Sequence, residues 1–387
     1  MTQTLLVRNC RLLDQPGRDS LHDVLIEGGR VVQIQAIREA STRGEVIDAG
    51  GRLAIPGLID LHIQGAGGCD VLDGTHESLA TISKTLARFG TTAFLATTVV
   101  KPLKKNAHLK IARDVAGMDL GGATMLGIHL EGPFINAKKR GGIDPASIYG
   151  SSPAAVAEVL EATGDKLRMM TVAPELPGNV GVIRELTARG VVASFGHSDA
   201  TYEETQIGFA AGISHVTHLF KAMPQLHHRT PGPLAAIFEY ADATLQIISD
   251  GHHLHPGVVR LIYRLAGPRR CVCITDGISG MGLPEGSYTY NGREYTTRDG
   301  AARYTDGTLI GSTTTLLEIA LKFKEFTGCS LSEAIQTVTL NPARTLGFDM
   351  KKGCIAPGFD ADIVLLSNEL TVSATIVEGK IRYRSNG

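Results

Sequence analysis

Side chains that can bind a metal ion or move a proton recur in this sequence, each directly after a short apolar run. They are His62, Glu131, His197, His218, Asp250 and Asp276. One carboxylate and two imidazoles from this group would form a donor set suited to a catalytic divalent ion that keeps one position open for water. A single histidine after a strand is usually structural, but repetition on run after run favours a metal centre.

The first of these runs, PGLIDLHIQGAGG at 56–68, carries His62 and Gln64 two residues apart. Side chains alternate along a strand, so these two point to the same face and toward the same place. An imidazole and a neutral amide are a weak ligand pair for zinc. These two side chains are therefore expected to face the predicted metal centre, and their spacing alone does not decide what they do there.

Eight strand-like segments alternate with helical periodicity and would position these residues. They are 57–63, 92–99, 124–130, 168–173, 191–196, 214–219, 245–250 and 271–275. This alternation predicts an α/β protein with a TIM-like (β/α)8 barrel, whose active site lies at the carboxyl ends of the strands. Helices are expected over 76–90 and 331–347, and a loop or hairpin at 279–312 is expected to lie over the barrel mouth.

Short strands joined by glycine turns are also predicted near both chain ends. They cover 4–12, 23–35, 45–54, 361–367 and 373–384. We expect a small β-sandwich domain formed by residues 1–55 and 350–387, and a catalytic barrel at 56–349.

Composition excludes several classes of protein. The 387 residues carry a formal net charge of -1, which gives no general attraction to nucleic acid or to an anionic membrane. No apolar stretch reaches the roughly 18–20 residues of a membrane span, and Arg8 and Arg11 interrupt the amino-terminal region where a signal peptide would be apolar. The six scattered cysteines contain no C-x-x-C pair. A cytoplasmic protein with reduced thiols is expected.

Several sequence blocks resemble the N-acetylglucosamine-6-phosphate deacetylases, a branch of the amidohydrolase superfamily. They occur in the same order as in that branch: PGLIDLHIQGAGG, HLEGPFINAKKRGG, GHSDA, HLFKAMPQLHHR, DGHHLHP, TDGISGMGLPEG and NPARTLG with GCIAPGFDADIVLL. H-L-E-G-P and H-L-F-x-A-M-P are specific to the branch, whereas P-G-L-I-D and the final block mark the wider superfamily. The resemblance covers nearly the whole chain.

This resemblance implies amide hydrolysis with one divalent ion, zinc in the first instance and Fe, Mn or Co as alternatives. It assigns metal binding to Glu131, His197 and His218, and general base and acid catalysis to Asp276. Acetate and an amino-sugar phosphate are the implied products, and no covalent enzyme intermediate is needed.

Substrate binding is also carried over by the resemblance. The loop after His218 would hold the phosphate, through backbone groups at Ala222 and through Arg229, which would reach across a homodimer interface. Lys221 and Met223 of that loop and His253 complete the substrate-binding candidates, although methionines here are also typical of core or loop filling. No nucleic-acid or membrane partner is implied.

Three positions depart from the pattern of the family. Lys221 replaces the usual asparagine, and Ile143 stands where some members have a histidine that polarises the substrate carbonyl. His62 and Gln64 combine half of the H-x-H pair that binds a second metal with half of the Q-x-N pair of single-metal members. One tightly held ion is favoured, with His62 either donating a catalytic hydrogen bond or holding, with Gln64, a second and weaker ion.

Two other functions remain open. The same barrel and metal could hydrolyse another N-acyl compound, such as N-acetylgalactosamine 6-phosphate or a cyclic amide, since fold does not fix substrate. A non-catalytic scaffold is disfavoured because all four residues of the implied machinery are retained.

Overall fold

The structure, a computed structural model, describes residues 4–13, 20–36, 44–290 and 292–385. Its strands are β1 Thr4–Leu12, β2 Leu21–Glu27, β3 Arg30–Ala36, β4 Glu45–Asp48, β5 Leu53–Pro56, β6 Leu58–Ile63, β7 Gly65–Ala66, β8 Cys69–Asp70, β9 Thr91–Thr98, β10 Thr124–Glu131, β11 Leu167–Val172, β12 Val192–Phe195, β13 His215–Val216, β14 Thr244–Ile247, β15 Cys271–Cys273, β16 Gly286–Tyr290, β17 Arg293–Arg298, β18 Ala301–Tyr304, β19 Leu309–Ser312, β20 Ile363–Leu366, β21 Val372–Val377 and β22 Lys380–Arg384. Its helices are α1 His76–Arg88, α2 Ala107–Val115, α3 Pro153–Thr163, α4 Asn179–Ala188, α5 Tyr202–Ala211, α6 Gly232–Glu239, α7 Pro256–Ala266, α8 Leu316–Thr327, α9 Leu331–Gln336 and α10 Leu340–Thr345.

A parallel sheet forms the barrel. Within the continuously described stretch 44–290, β6 and β9 to β15 pair in chain order as eight strands. The barrel closes through an irregular segment after β15, where Gly277 bridges to Ile63 and the Asp276 N–H donates to the His62 carbonyl oxygen at 3.0 Å. The predicted (β/α)8 barrel is confirmed. The last strands are shorter than expected, so several candidate residues lie just beyond a strand end.

The barrel strands are buried on both faces, as parallel strands covered by helices must be. Every residue of β9 is buried, and the large buried side chains of this core include Phe94 and Phe195. A core of this kind fixes the strand ends rigidly, which is the condition for a precise site at the rim.

Local capping explains where the helices begin. The Thr75 hydroxyl accepts from the Ser78 N–H at the start of α1, which agrees with the helix predicted from residue 76.

The single helix predicted over 331–347 is wrong, because α9 and α10 are separate. A proline inside a continuous helix would lack its N–H and clash with the preceding turn. The break before α10 places Pro342 in a first helical turn, where proline is tolerated.

Strands from both chain ends form one mixed, mostly antiparallel sheet. Among the described residues its order is β22-β21-β20-β5-β1-β2-β3, and β4 pairs with β1. Its own core contains Val7, Val24, Ile363 and Ile376. The predicted β domain built from both termini is therefore confirmed.

An insertion follows the eighth barrel strand. The segment expected to be a loop or hairpin contains a four-stranded antiparallel sheet, β16 to β19. A small core of Ile278, Tyr295, Ala302 and Tyr304 supports it. The Ser279 and Tyr295 hydroxyl groups, 2.9 Å apart, also link it to the segment that follows the barrel. The insertion is thus a packed element and not an irregular loop.

The six cysteines all lie in the described residues, and none of them forms a disulfide bond. No helix within the described ranges combines the length and apolar character required to cross a membrane.

Candidate active site

Three buried side chains that could bind a metal ion converge at the carboxyl end of the barrel. Glu131 is the last residue of β10, while His197 and His218 lie two residues beyond β12 and β13. Glu131 Oε1 lies 2.8 Å from His197 Nε2 and 2.9 Å from His218 Nε2, and the two nitrogens are 3.1 Å apart. Each of the three residues is only 5% exposed.

The hydrogen bonds of this cluster fit a metal ion. The other ring nitrogen of His197, Nδ1, lies 2.7 Å from the Lys139 carbonyl oxygen, which can only accept, so Nδ1 carries a proton. In the neutral ring, Nε2 therefore directs a lone pair at Glu131 and His218. Two imidazoles and a carboxylate whose ligand atoms all lie within 4.8 Å of one another could hold a divalent ion.

Electrostatics in the cluster favour an anionic glutamate. Burial alone would raise the pKa of Glu131, but His197 and the other neighbouring imidazoles outweigh it and hold that pKa well below its usual range. The site thus keeps a negative charge for a cation to neutralise.

His62 faces the same centre from β6. Gln246 Oε1 accepts from the His218 backbone N–H and also lies 3.1 Å from His62 Nδ1, so Nδ1 is the donor of that contact. His62 Nε2 then points at two carboxylates, 3.4 Å from Asp276 Oδ1 and 3.9 Å from Glu131 Oε1. It has no hydrogen-bond partner within the described part of the chain.

Gln64 is hydrogen-bonded at both ends of its amide. Its Nε2 donates to Asp276 Oδ1 at 3.2 Å, and its Oε1 accepts from the Tyr290 hydroxyl at 2.5 Å. Gln64 therefore orients the Asp276 carboxylate through its amide nitrogen and binds the Tyr290 hydroxyl group through its amide oxygen.

Asp276 lies between the cluster and a second buried pair. The Asp250 carboxylate accepts from His253 Nδ1 at 2.6 Å, and both side chains are fully buried. That contact turns His253 Nε2 toward Asp276 Oδ2, at 3.9 Å. A carboxylate with one oxygen near Gln64 and the other near an imidazole is suited to accept and return a proton.

A cavity opens onto these groups. Lys221 and Ala222 line it, together with an apolar wall that includes Val99, Ile143 and Ile310. Burial lowers the pKa of Lys221, against the opposing pull of Asp276 and Asp250. A cation near an enclosed surface can bind an anionic group of a ligand.

The other predicted substrate-binding residues, Met223, His253 and Arg229, are not among the residues that line this cavity. Met223 is buried in the barrel core at 7% exposure, and the His253 side chain is buried against Asp250. Arg229 lies on an exposed loop and is not among the residues that line the cavity.

Sequence reasoning missed three residues that hold the site. Gln246 orients His62, Tyr290 binds Gln64, and Glu175 accepts hydrogen bonds from Ser198 and from the Asp199 backbone. Only Tyr290 had a local signal, because the dipeptide at 291–292 is Asn-Gly, which is typical of a hairpin turn. Nothing local indicates which side chain of that hairpin reaches the barrel.

Comparisons with known proteins agree with this geometry. A model of the Amidohydrolase family matches residues 53–382. N-acetylglucosamine-6-phosphate deacetylase of Lysinibacillus sphaericus is 32% identical over 386 residues, which cover 99% of this chain and 99% of that protein. N-acetylgalactosamine-6-phosphate deacetylase of Escherichia coli O157:H7 is 33% identical, covering 98% of this chain and 99% of that protein. The structure of a mutant N-acetyl-D-glucosamine-6-phosphate deacetylase from Mycobacterium smegmatis, in complex with N-acetyl-D-glucosamine-6-phosphate, matches with a TM-score of 0.88 at 30% identity, covering 98% of this chain and 99% of that chain.

Proposed function

The chain belongs to the amidohydrolase family, as its sequence blocks predicted, and we propose that it removes the N-acetyl group of N-acetylglucosamine 6-phosphate. The products are glucosamine 6-phosphate and acetate, and the reaction serves amino-sugar catabolism. One observation carries the proposal: the buried Glu131, His197 and His218 cluster meets Asp276 in a cavity that also contains Lys221. The full-length similarity to a deacetylase of this substrate supports it.

Glu131, His197 and His218 would hold the divalent ion. We take zinc as its identity, with Fe, Mn or Co as alternatives, since two imidazoles and one carboxylate suit any of them. When bound, the ion lowers the pKa of a water molecule and polarises the amide carbonyl. The Lys139 carbonyl fixes the tautomer of His197 for this role.

Asp276 acts as general base and then as general acid. Its Oδ1 is held by Gln64, and its Oδ2 takes the proton of the attacking water and returns it to the leaving nitrogen. His62 is the second catalytic candidate, because its Nε2 points at Asp276 and Glu131 and has no hydrogen-bond partner among the described residues. With both ring nitrogens protonated, it would donate a hydrogen bond from Nε2 to the substrate carbonyl, a role that Ile143 cannot fill; as the neutral ring with its proton on Nδ1, it would instead contribute the Nε2 lone pair, with Gln64, to a second, weaker ion.

Lys221 and the Ala222 backbone bind the phosphate, with Met223, Arg229 and His253 as further contacts. The burial of Lys221 against the cavity supports the first part of this assignment. Arg229 would act on the neighbouring subunit of a homodimer, consistent with its exposed position away from the cavity of its own chain. We also propose residues 1–55 with 350–387, and residues 56–349, as the two domains.

A second candidate substrate is N-acetylgalactosamine 6-phosphate. A relative at 33% identity carries that name, and the cation at Lys221 alters the polar wall of the cavity. Comparing kcat/KM for the two epimers decides between them.

The testing experiment measures acetate release from N-acetylglucosamine 6-phosphate by metal-stripped protein as zinc is added. Activity that saturates near one equivalent supports the single-ion assignment, and a second rise supports a weaker ion at His62. Absence of activity at every ratio, with zinc bound, would refute the proposed substrate.

A further inference from the structure

The inserted sheet places one side chain against Gln64, the residue that is hydrogen-bonded to the Asp276 carboxylate. Tyr290 is the last residue of β16 and lines the cavity that contains Glu131 and Asp276. Its hydroxyl group lies 2.5 Å from Gln64 Oε1. No other direct link from the insertion to Gln64 is seen among the described residues.

The direction of this hydrogen-bond chain follows from its last member. A carboxylate oxygen only accepts, so the Gln64 atom at 3.2 Å from Asp276 Oδ1 must be the amide nitrogen. The amide oxygen then faces Tyr290, whose hydroxyl must donate. The chain runs one way, from Tyr290 through Gln64 to Asp276.

The insertion holds Tyr290 firmly enough to act in this way. Tyr290 packs against the small core of Ile278, Tyr295, Ala302 and Tyr304. The Arg293 guanidinium lies 3.7 Å from the centre of the Tyr304 ring, which adds a cation–π contact to the same sheet.

The far end of the insertion returns to the backbone of the same residue. Ser312, the last residue of β19, donates its backbone N–H to the Asp276 backbone carbonyl at 2.9 Å. The inserted sheet thus contacts the backbone of Asp276 directly and its side chain indirectly, through Gln64.

We propose that Tyr290 is a positioning residue that acts on Asp276 through Gln64, so that the inserted sheet sets the orientation of the general base. The proposal rests on the proposed function in one respect, the assignment of Asp276 as the base. The amide of Gln64 fixes Oδ1 and leaves Oδ2 free for proton transfer. Without the tyrosine hydroxyl, the amide can rotate and the carboxylate loses its fixed geometry.

The test replaces Tyr290 with phenylalanine, which removes the hydroxyl and keeps the ring. We expect kcat to fall about 10- to 100-fold, because small misplacement of a catalytic group is costly, while KM and zinc content stay unchanged. Tyr288→Phe is the matched control on the same strand, because its hydroxyl donates to the Pro284 carbonyl and not to the site. It should retain the activity of the wild type.

A double-mutant cycle tests the route through Gln64. Tyr290→Phe should cause no further loss of kcat, within about twofold, in a Gln64→Ala background, since the link is already broken. An equal loss in both backgrounds would overturn the proposal, and so would a rise in KM at constant kcat, which would make Tyr290 a direct substrate contact.

A structural measurement keeps this test separate from the identity of the substrate. In a crystal structure of Tyr290→Phe, the Gln64 amide should leave Asp276 Oδ1, and an unchanged contact would refute the inference. Wild-type protein in the same assay tests the substrate itself: if it releases no acetate, the proposed function fails, and the crystal structure still decides the role of Tyr290.

Discussion

Glu175 offers the sharpest test of how the loops beyond the barrel strands hold the proposed metal ligands. Its carboxylate accepts from the Ser198 hydroxyl at 2.7 Å, the Asp199 N–H at 2.7 Å and the Asn136 side-chain amide at 3.0 Å. The Asn136 backbone N–H in turn donates to the His197 carbonyl at 2.8 Å. Glu175→Ala therefore releases two loops that flank a ligand.

The magnitude follows from these contacts. Hydrogen bonds to a charged group contribute about 1.5–3 kcal/mol each, and they do not add fully. Because Glu175 is partly exposed, we take the low end and expect Glu175→Ala to lower the free energy of unfolding by roughly 3 kcal/mol. With an unfolding entropy of about 2.1 cal/mol/K per residue, this corresponds to a fall in Tm of roughly 4 °C for a chain of this length.

Metal affinity should fall as well, because the backbone around His197 is no longer fixed. Loss of an outer hydrogen-bond partner weakens metal binding by about 10- to 100-fold, and we expect the lower figure because Glu175 does not touch the ring. Zinc competition with a chromophoric chelator and thermal melting of the metal-free protein measure the two effects separately.

Two variants serve as controls for Glu175→Ala. Glu175→Gln keeps an oxygen for the Asp199 and Asn136 donors and should recover most of the stability. Glu185→Ala removes an exposed ion pair between Glu185 on α4 and Arg189, the residue that follows this helix; the pair is worth at most about 0.5 kcal/mol, and the variant should melt like the wild type. The reasoning is wrong if Glu175→Ala melts within about 1 °C of the wild type and binds zinc equally well.

Three further predictions follow from the site and from the link between the terminal sheet and the barrel. Asp276→Asn should lower kcat by about 10²- to 10⁴-fold at unchanged zinc content, measured as acetate release and by metal analysis. Lys221→Ala should raise KM for the 6-phosphate substrate about tenfold and leave KM for unphosphorylated N-acetylglucosamine unchanged, in steady-state assays of both. Hydrogen bonds from Arg382 and Lys380 hold the pKa of Asp119 below its ordinary value of 3.8. The ionised Asp119 therefore stabilises the fold above about pH 4, and this stabilisation is lost as pH falls through the lowered pKa. Because Asp119 is half exposed, Asp119→Asn should lower the free energy of unfolding, measured with denaturant, by under about 1 kcal/mol at pH 7 and should leave it unchanged at pH values below the lowered pKa. A difference between variant and wild type that grows on acidification would contradict this.

Much of the architecture was readable because apolar periodicity and strand-end chemistry are local signals. The alternation of runs predicted the barrel, and the repeated His and Glu at run ends predicted a metal centre. The resemblance to the deacetylases then selected Glu131, His197 and His218, which the structure brings together. The inserted four-stranded sheet was underestimated, because its exposed strands bury few side chains and their alternation is weak. The partners Gln246 and Glu175 were missed because their roles depend on contacts across the barrel and not on sequence spacing.

Just beyond the shortened strands, three residues of the site have an unusual backbone conformation. His197, His218 and Asp276 have φ values of 47°, 25° and 49°, in the left-handed region that non-glycine residues rarely adopt. Such residues cost about 1–3 kcal/mol each and persist where packing fixes them. Each left-handed residue breaks the extended backbone within three residues of a strand end, and all three side chains line the cavity at the carboxyl end of the barrel, which is where a metal ligand or base must point. Strand periodicity cannot foresee this turn, because it assumes that the extended backbone continues to the residue that does the chemistry.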